Sequence, residues 1–333
     1  MTAHAKKLLE VCHRVEQVVL GKTEAIKLLL TAFLAGGHVL LEDRPGVGKS
    51  TLARTFASAL GLELKRIQVT ADLMPLDVIG GNVFNKETGR LTFSPGPVFS
   101  NIVMLDELNR ASARTQSALL EAMEEAQVTV DGTSYALPQP FFVIATQNSI
   151  EHQGTYEIPD SQLDRFLMKL SLGLPSRNEE GLILKRLQHS VAEEKIFHKA
   201  EKVFSDPGEL IELKQSVEKL HVEQAVIDYI LDLALLTRTQ FSSGLSPRAS
   251  IGLLKAAKAY AFLAERDYVS PDDVKAVFAA TAMHRLGIPA KDSLALARIQ
   301  SMSSKLKKAP SQQSMQEDLA QWILTQIKIR LAS

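Results

Sequence analysis

The sequence has one cysteine, no long apolar segment and no net charge. A single thiol, Cys12, cannot form a disulfide within the chain, which excludes a disulfide-stapled scaffold. The most apolar window, residues 28–41, is interrupted by Gly-Gly-His and is shorter than the roughly 18 residues that a membrane-spanning helix needs. Because 38 basic residues balance 38 acidic ones, no net field recruits nucleic acid or an anionic membrane, although a local basic patch remains compatible with this balance.

Hydrophobic residues make up 45% and charged residues 23% of the 333 positions, a composition typical of a folded protein with room for two domains. The first residues, MTAHAKKLLEV, contain no apolar stretch of the kind that a signal peptide carries. We therefore expect a cytoplasmic protein without membrane insertion.

The segment EDRPGVGKS, residues 42–50, has the composition of a phosphate-binding loop. The apolar run at residues 39–41 predicts a strand before it, and residues 51–60 have the pattern of a helix after it. In such a loop, small residues let successive backbone N–H groups face one anion, and the following helix adds its positive N-terminal end. Lys49 is then expected to contact the β- and γ-phosphates of a nucleotide, and Ser50 to bind magnesium.

One position departs from the strict pattern GxxxxGK(S/T), because Asp43 stands where the first glycine belongs. Gly46, Gly48, Lys49 and Ser50 remain in place. The alternative interpretation is a surface turn that happens to contain Gly-Lys-Ser. The predicted strand and helix on either side favour nucleotide binding, since the motif is informative only in that context.

Two carboxylates follow another apolar run of strand length, residues 101–105. Ligands of open α/β sheets lie beyond the carboxyl ends of the strands, which is where Asp106 and Glu107 would emerge. Asp106 suits a magnesium-associated role, and Glu107 suits polarising the attacking water. The alternative is an ordinary acidic cap of the next helix.

Four other positions are candidates for contacts with a nucleotide. Asn148 ends the apolar run 141–147 and could hold the lytic water, or it could simply cap a strand. Arg165, in the run Leu-Asp-Arg-Phe-Leu with apolar residues on either side of the Asp-Arg pair, could be an arginine finger for another subunit's nucleotide or an Arg whose charged end reaches solvent from a helix end. Arg248 follows the helix-start signal Ser-Pro and could reach a phosphate or lie exposed. Gly21 breaks two helical runs and could line an adenine pocket or only mark a turn.

Two hairpins interrupt the strand and helix pattern of the first half, at residues 83–93 and 127–137. From about residue 175 glycine becomes scarce, and long helical patterns predict an all-helical second domain. We expect these helices at residues 177–197, 222–239, 247–266 and 271–286. A polar linker at residues 303–314 and a closing helix at residues 316–331 follow.

Four segments resemble the MoxR family of AAA+ ATPases: LLEDRPGVGKSTLAR, VMLDELNRASARTQSALLEAMEE, QVTVDGTSYALPQPFFVIATQN and GTYEIPDSQLDRFLMKL. The resemblance covers nearly the whole chain, and that family commonly tolerates an aspartate at the position of Asp43. It implies an α/β P-loop NTPase (AAA+) core, with a parallel sheet flanked by helices, in residues 1–176. An all-helical lid domain would occupy residues 177–333.

The resemblance also implies a role for each candidate residue. Lys49 and Ser50 would belong to Walker A, Asp106 and Glu107 to Walker B, and Asn148 would be sensor 1. Arg165 would be the arginine finger and Arg248 sensor 2, acting on its own nucleotide or on a neighbour's. The nucleotide contacts are expected from Gly21, Gly46, Val47, Gly48, Lys49, Ser50, Thr51, Asp106 and Arg248, with magnesium bound by Ser50 and by Asp106, directly or through water.

The function implied is magnesium-dependent ATP hydrolysis by a ring, a hexamer, that acts like a chaperone in the maturation or assembly of client proteins. The family often works with partners that carry von Willebrand factor A domains. The insertion near residues 72–95 would be the helix-2 insert and the hairpin near residues 131–132 the pre-sensor-1 hairpin, where such machines usually engage clients. The alternatives are a nucleic-acid motor or loader with the same core, for which the inserts offer little basic or aromatic surface, and a nucleotide-binding scaffold that does not hydrolyse ATP.

Overall fold

The computed structural model describes residues 3–87, 89–148, 158–188, 201–286 and 312–327. Its centre is a five-stranded parallel sheet in the order β2-β5-β8-β1-β9. These strands are β1 (Val39–Glu42), β2 (Leu64–Gln68), β5 (Ile102–Asp106), β8 (Phe142–Gln147) and β9 (Met168–Leu170). The α/β core predicted from the sequence is therefore confirmed.

Successive residues of the central strands contribute to two different hydrophobic cores, because strand side chains alternate between the faces of a sheet. Val39 and Leu41 of β1 belong to the larger core, whereas Leu40 between them belongs to the smaller one. The larger core also contains α1 (Ala3–Val18), α2 (Thr23–Leu34) and α3 (Lys49–Leu60). On the opposite face, α5 (Ala113–Glu125) covers the sheet. The central strands are thus buried on both faces.

Two antiparallel hairpins leave this sheet, as the sequence predicts. The first contains α4 (Pro75–Ile79), β3 (Gly80–Asn85) and β4 (Arg90–Pro95). The second contains β6 (Gln127–Val130) and β7 (Thr133–Ala136).

A short helix, α6 (Asp160–Leu163), precedes β9. The second half, after β9, is mainly helical where it is described, apart from loops and one isolated bridge between His221 and Tyr268. Its helices are α7 (Arg177–Gln188), α8 (Pro207–Glu218), α9 (Gln224–Gln240), α10 (Pro247–Leu263), α11 (Pro271–Ala282) and α12 (Gln312–Gln326). The sequence analysis did not predict α8. The predicted polar linker overlaps α12 at residues 312–314, while its remainder, residues 303–311, lies outside the described ranges. Within those ranges no helix combines the length and apolar character required to cross a bilayer.

The core does not divide where the composition changes. Buried side chains of α8, α10 and α11 join the same hydrophobic cluster as those of α1 and α2. The helical half is therefore packed against the sheet side that holds the larger core, and a domain boundary at residue 176 stays a prediction.

Candidate active site

The loop after β1 has two glycines in the left-handed region of the backbone, Gly46 with φ of 81° and Gly48 with φ of 97°. Only glycine adopts these angles readily. A methyl group added at either position would meet no atom within 4 Å in the described protein. The glycines are therefore required for backbone conformation, and the space beside them is open.

Lys49 begins α3 and its side chain is buried against the loop. Its Nζ donates hydrogen bonds to the carbonyl oxygens of Asp43 (2.8 Å) and Arg44 (3.2 Å) and to Oδ1 of Asn148 (3.3 Å). Burial lowers the pKa of the Lys49 ammonium, and the nearby carboxylates of Asp43 and Asp106 oppose that shift. All three acceptors are neutral groups that phosphate oxygens can replace.

Asp43, which replaces the first glycine of the strict pattern, is buried and fully engaged. Its Oδ1 accepts hydrogen bonds from Ser171 Oγ (2.9 Å) and from the backbone N–H of Gly173 (3.2 Å), and its Oδ2 accepts from the N–H of Leu172. The carboxylate therefore joins the phosphate loop to the segment that follows β9.

Asp106 lies at the carboxyl end of β5, where it is buried and contacts two hydrogen-bond donors. One carboxylate oxygen pairs with Nε of Arg66, and the other accepts from Thr146 Oγ1 at 3.2 Å. A carboxylate is the kind of oxygen ligand that Mg²⁺ prefers, and Asp106 stands at the strand end where such a ligand is expected, although Arg66 now occupies one of its oxygens.

Glu107 follows Asp106 with φ of 61°, which is unusual for a residue other than glycine. Its backbone N–H donates to Thr146 Oγ1 at 3.0 Å. Its carboxylate accepts from Asn148 Nδ2 (3.0 Å) and from the Arg110 guanidinium (2.9 Å). Asn148 therefore stands between Lys49 and Glu107 and contacts both.

A cavity of about 590 Å³ adjoins the loop, a size typical of small-molecule sites. It is bounded by the loop residues Asp43, Arg44 and Val47, by the segment after β9, and by α2, α11 and α12. Gly21 is not among its lining residues. That glycine packs against the side chain of Glu179 instead, while Ala25 and Leu28 of α2 contribute to the wall.

The two arginines that the sequence singled out are grouped together, away from the contacts of Lys49. Arg165 and Arg248 each form an ion pair with Glu124 near the end of α5. Nε of Arg165 is buried and has no hydrogen-bond partner in the described part of the chain. The pair therefore shares one carboxylate, which neutralises only one of the two charges.

The segment that carries Arg165 is held by a buried arginine of the helical half. Arg285 donates to Asp164 Oδ1 (2.8 Å) and to the carbonyl oxygens of Phe166 (2.7 Å) and Leu167 (3.3 Å). Asp164 also accepts from Ser246 Oγ, two residues before Arg248. These bonds fix residues 164–167 to the part of the helical half that carries Arg248.

The sequence analysis missed five residues that organise these contacts. They are Asp43, Arg66, Glu124, Thr146 and Arg285. Asp43 was visible as a departure from the motif, although its contacts were not predicted. The other four meet their partners only in the folded chain.

Comparison with known proteins agrees with this geometry. The family described as "ATPase family associated with various cellular activities (AAA)" matches residues 38–168, and the AAA lid domain matches residues 233–302. A crystal structure of a proposed ATPase from Cytophaga hutchinsonii superposes with a TM-score of 0.82 at 33% identity, over 98% of this chain and 96% of that one. The phosphate loop, the paired carboxylates and the helical lid thus define an AAA ATPase, an enzyme that hydrolyses ATP.

Curated relatives narrow the class. Chaperone MoxR1 of Mycobacterium tuberculosis is 37% identical over 86% of this chain and 77% of its own length. Protein MoxR of Paracoccus denitrificans is 33% identical over 81% of this chain and 85% of its own length, and protein YeaC of Bacillus subtilis is 46% identical over 82% and 84%. The chain belongs to the MoxR family of AAA ATPases.

Proposed function

We propose that this chain is a magnesium-dependent ATPase whose catalytic site is completed between subunits of a ring, a hexamer. The observation that carries the proposal is the separation of the charged groups. Lys49, Asp106, Glu107 and Asn148 contact one another directly or through one residue. Arg165 and Arg248 pair elsewhere, with Glu124. This separation supports a role for both arginines at the site of a second copy of the chain.

Within one subunit, the phosphate loop binds the nucleotide and the carboxylates activate the attacking water. The N–H groups of residues 46–51 and the Lys49 ammonium hold the phosphates, since positioning and electrostatic stabilisation account for most of phosphoryl-transfer catalysis. Ser50 and Asp106 would hold magnesium, which supplies positive charge to the β- and γ-phosphate oxygens. Glu107, oriented by Asn148 and by its bond to Arg110, accepts the proton of the attacking water.

Arg165 supplies positive charge to the phosphoryl group of the nucleotide that is bound to the neighbouring subunit. Such a finger contributes on the order of a thousandfold to a hundred-thousandfold in rate. Because Arg248 shares Glu124 with Arg165, we assign both arginines to the neighbour's nucleotide. Glu124 then holds them while the neighbouring site is empty and releases them to phosphate oxygens.

The two hairpins form a joint surface that suits protein clients. Phe93 of β4 stacks on Tyr135 of β7 with ring centroids 3.9 Å apart, and Asn82 donates to Asp131 at 2.6 Å. Large apolar side chains are exposed on the first hairpin and in or directly before α4: Met74, Leu76, Val83, Phe84 and Leu91. Exposed apolar patches mark sites that bind proteins or membranes, so these side chains support a protein partner.

We infer a chaperone-like role in the maturation or assembly of other proteins, with von Willebrand factor A-domain proteins as partners. The Mycobacterium tuberculosis relative is named as a chaperone, which supports this role. We place the protein in the cytoplasm, where ATP and magnesium are supplied.

The test is phosphate release per subunit, with ATP and magnesium, over a range of protein concentrations. We expect the specific rate to rise with concentration, and Arg165→Ala to lower it by at least about a thousandfold while ATP binding persists. Lys49→Ala should abolish binding as well. Arg54→Ala, at an exposed arginine of α3, is the matched control and should retain the rate. A rate that is independent of concentration and of Arg165 would overturn the shared site.

A further inference from the structure

Residue 43 is the point where the phosphate loop meets two neighbouring strands. Its backbone N–H donates to the carbonyl of Gln147 at the end of β8, at 3.2 Å. Its carbonyl accepts from Lys49 Nζ, and its carboxylate accepts from residues 171–173 after β9. Glycine, the residue of the strict pattern, would provide the two backbone bonds and none of the side-chain bonds.

The carboxylate of Asp43 binds one segment of the chain, residues 171–173. Asp43 is only 8% exposed, and a buried carboxylate is unfavourable unless several donors satisfy it. Three donors from consecutive residues do so here: the hydroxyl of Ser171 and the N–H groups of Leu172 and Gly173. Hydrogen bonds to an ionised acceptor are about twice as strong as neutral ones, so the segment is held firmly.

This segment is the covalent path from the sheet to the helical half. It leaves β9 after Leu170 and reaches α7 at Arg177. Gly173 and Leu174 also line the cavity beside the phosphate loop, opposite Ala279 and Met283 of the helical half. A displacement of residues 171–174 would therefore change the cavity wall and the start of α7 together.

Nucleotide binding changes the contacts of the backbone carbonyl of Asp43. Lys49 Nζ now bonds to the carbonyls of Asp43 and Arg44, and it must exchange these for phosphate oxygens when ATP binds. The exchange frees the carbonyl of residue 43, while its side chain remains attached to residues 171–173.

We propose that Asp43 is a positioning residue that couples occupancy of the phosphate loop to residues 171–174 and through them to the helical lid. This inference rests on the proposed ATP site. It explains why an acid occupies the glycine position: the side chain is a link between nucleotide and lid.

The test compares wild type with Asp43→Gly, which restores the strict motif, and with Asp43→Asn, which keeps the shape but offers one acceptor oxygen. Hydrogen exchange of the Leu172 and Gly173 amides is measured with and without a non-hydrolysable ATP analogue and magnesium. Affinity for the analogue, KM and kcat are measured in parallel. Asp206→Asn is the matched control, because that carboxylate also accepts a backbone N–H, from Gly208 at 2.9 Å, but at the start of α8.

In wild type we expect binding of the analogue to change the exchange of both amides. In Asp43→Gly they should exchange at least about tenfold faster and no longer respond, because their charged acceptor is gone. Affinity should change by less than about threefold while kcat falls about tenfold, since the link acts after binding. Asp43→Asn should be intermediate, and Asp206→Asn should respond like wild type.

The coupling alone would be overturned if analogue binding changed the exchange of the two amides in Asp43→Gly as much as in wild type. The same holds if wild type binds the analogue and the exchange of these amides does not change. Wild type that binds no nucleotide would overturn the proposed function as well. If Asp43→Gly does not fold, Ser171→Ala decides, because it removes one donor and leaves the loop sequence intact. We expect it to keep its affinity and to lose part of the response, and a full response would contradict the proposal.

Discussion

Thr146 lies beneath the two carboxylates of the candidate active site and touches both residues. Its hydroxyl donates to Asp106 and accepts the backbone N–H of Glu107, and the side chain is 1% exposed. Because Glu107 has a left-handed backbone, this hydroxyl helps to hold the residue in a conformation that most side chains avoid. In the proposed mechanism, Thr146 would therefore help to orient the Glu107 carboxylate without contacting the substrate.

We predict that Thr146→Val, which keeps the shape and removes the hydroxyl, lowers kcat at least about tenfold with little change in KM. It should also lower the free energy of unfolding by about 1–3 kcal/mol, because the partly buried N–H of Glu107 loses its acceptor and Asp106 loses a donor. ATPase assays and urea denaturation measure the two effects.

Thr281→Val is the control for this substitution. Thr281 is equally buried, but its hydroxyl donates to the carbonyl of Val277 within one helix turn. We expect that variant to retain kcat. Equal losses of kcat in both variants would show that Thr146 acts only through stability.

Several of these residue contacts could be foreseen from the sequence and others could not. The left-handed glycines and the position of Lys49 follow from the loop motif, since the motif describes a local backbone conformation. The ion pairs of Arg66 with Asp106 and of Glu124 with Arg165 join residues 40 and 41 positions apart, so no local pattern reports them. The roles assigned to Arg165 and Arg248 stay predictions.

At the scale of the elements, His38 joins four parts of the core at the entry to β1. Its Nδ1 accepts the N–H of Val143 in β8 at 3.0 Å, so Nε2 carries the proton and bonds to the carbonyl of Met123 in α5 at 2.9 Å. Its own carbonyl accepts from Leu167, before β9. Burial lowers the pKa of His38 to about 4, because a charged imidazole would lose both solvation and its acceptor role.

This shift predicts a stability that decreases with acidification. The unfolded chain takes up a proton near pH 6.5, and the folded chain does so only near pH 4, so stability falls as the pH drops between these values. Over this pH range, His38 lowers the free energy of unfolding by about 3 kcal/mol in total. His38→Gln should lower stability at pH 7.5 and should flatten this part of the pH profile, measured by urea denaturation.

The difference between the two profiles isolates the histidine, because carboxylates titrate in both proteins. His13→Gln, on the exposed side of α1, serves as the matched substitution and should leave the profile as in wild type. Parallel profiles for wild type and His38→Gln would contradict the assignment.

The sequence predicted most elements but not all of their ends. Helix α5, which the sequence analysis did not delimit, begins at Ala113 after a short 3-10 turn, because Ser112 caps it by accepting the N–H of Thr115. The missed helix α8 begins with the cap Asp206 and Pro207, and Leu210, Leu213 and Val217 form its buried face. Those signals were present locally, whereas the stacking of Phe93 on Tyr135 depends on two hairpins that are distant in sequence.

At the scale of the whole molecule, the charged groups of the candidate site form two separate clusters within one subunit. One cluster contains the phosphate loop, the carboxylates and Asn148. The other contains Arg165 and Arg248 on Glu124, with the segment of Arg165 held to the helical half by Arg285. In the proposed ring, the arginine cluster of one subunit would meet the phosphate loop of the next at every interface, because a head-to-tail contact that closes generates cyclic symmetry.

The most direct test mixes two inactive variants, Lys49→Ala and Arg165→Ala, in equal amounts. Each alone should show almost no phosphate release, because every site lacks either the loop lysine or the finger. In mixed rings, roughly a quarter of the interfaces join an intact Lys49 to an intact Arg165, and activity should recover toward that fraction of wild type. Mixed rings, confirmed by mass measurement to contain both variants, that remain inactive would contradict a site shared between subunits.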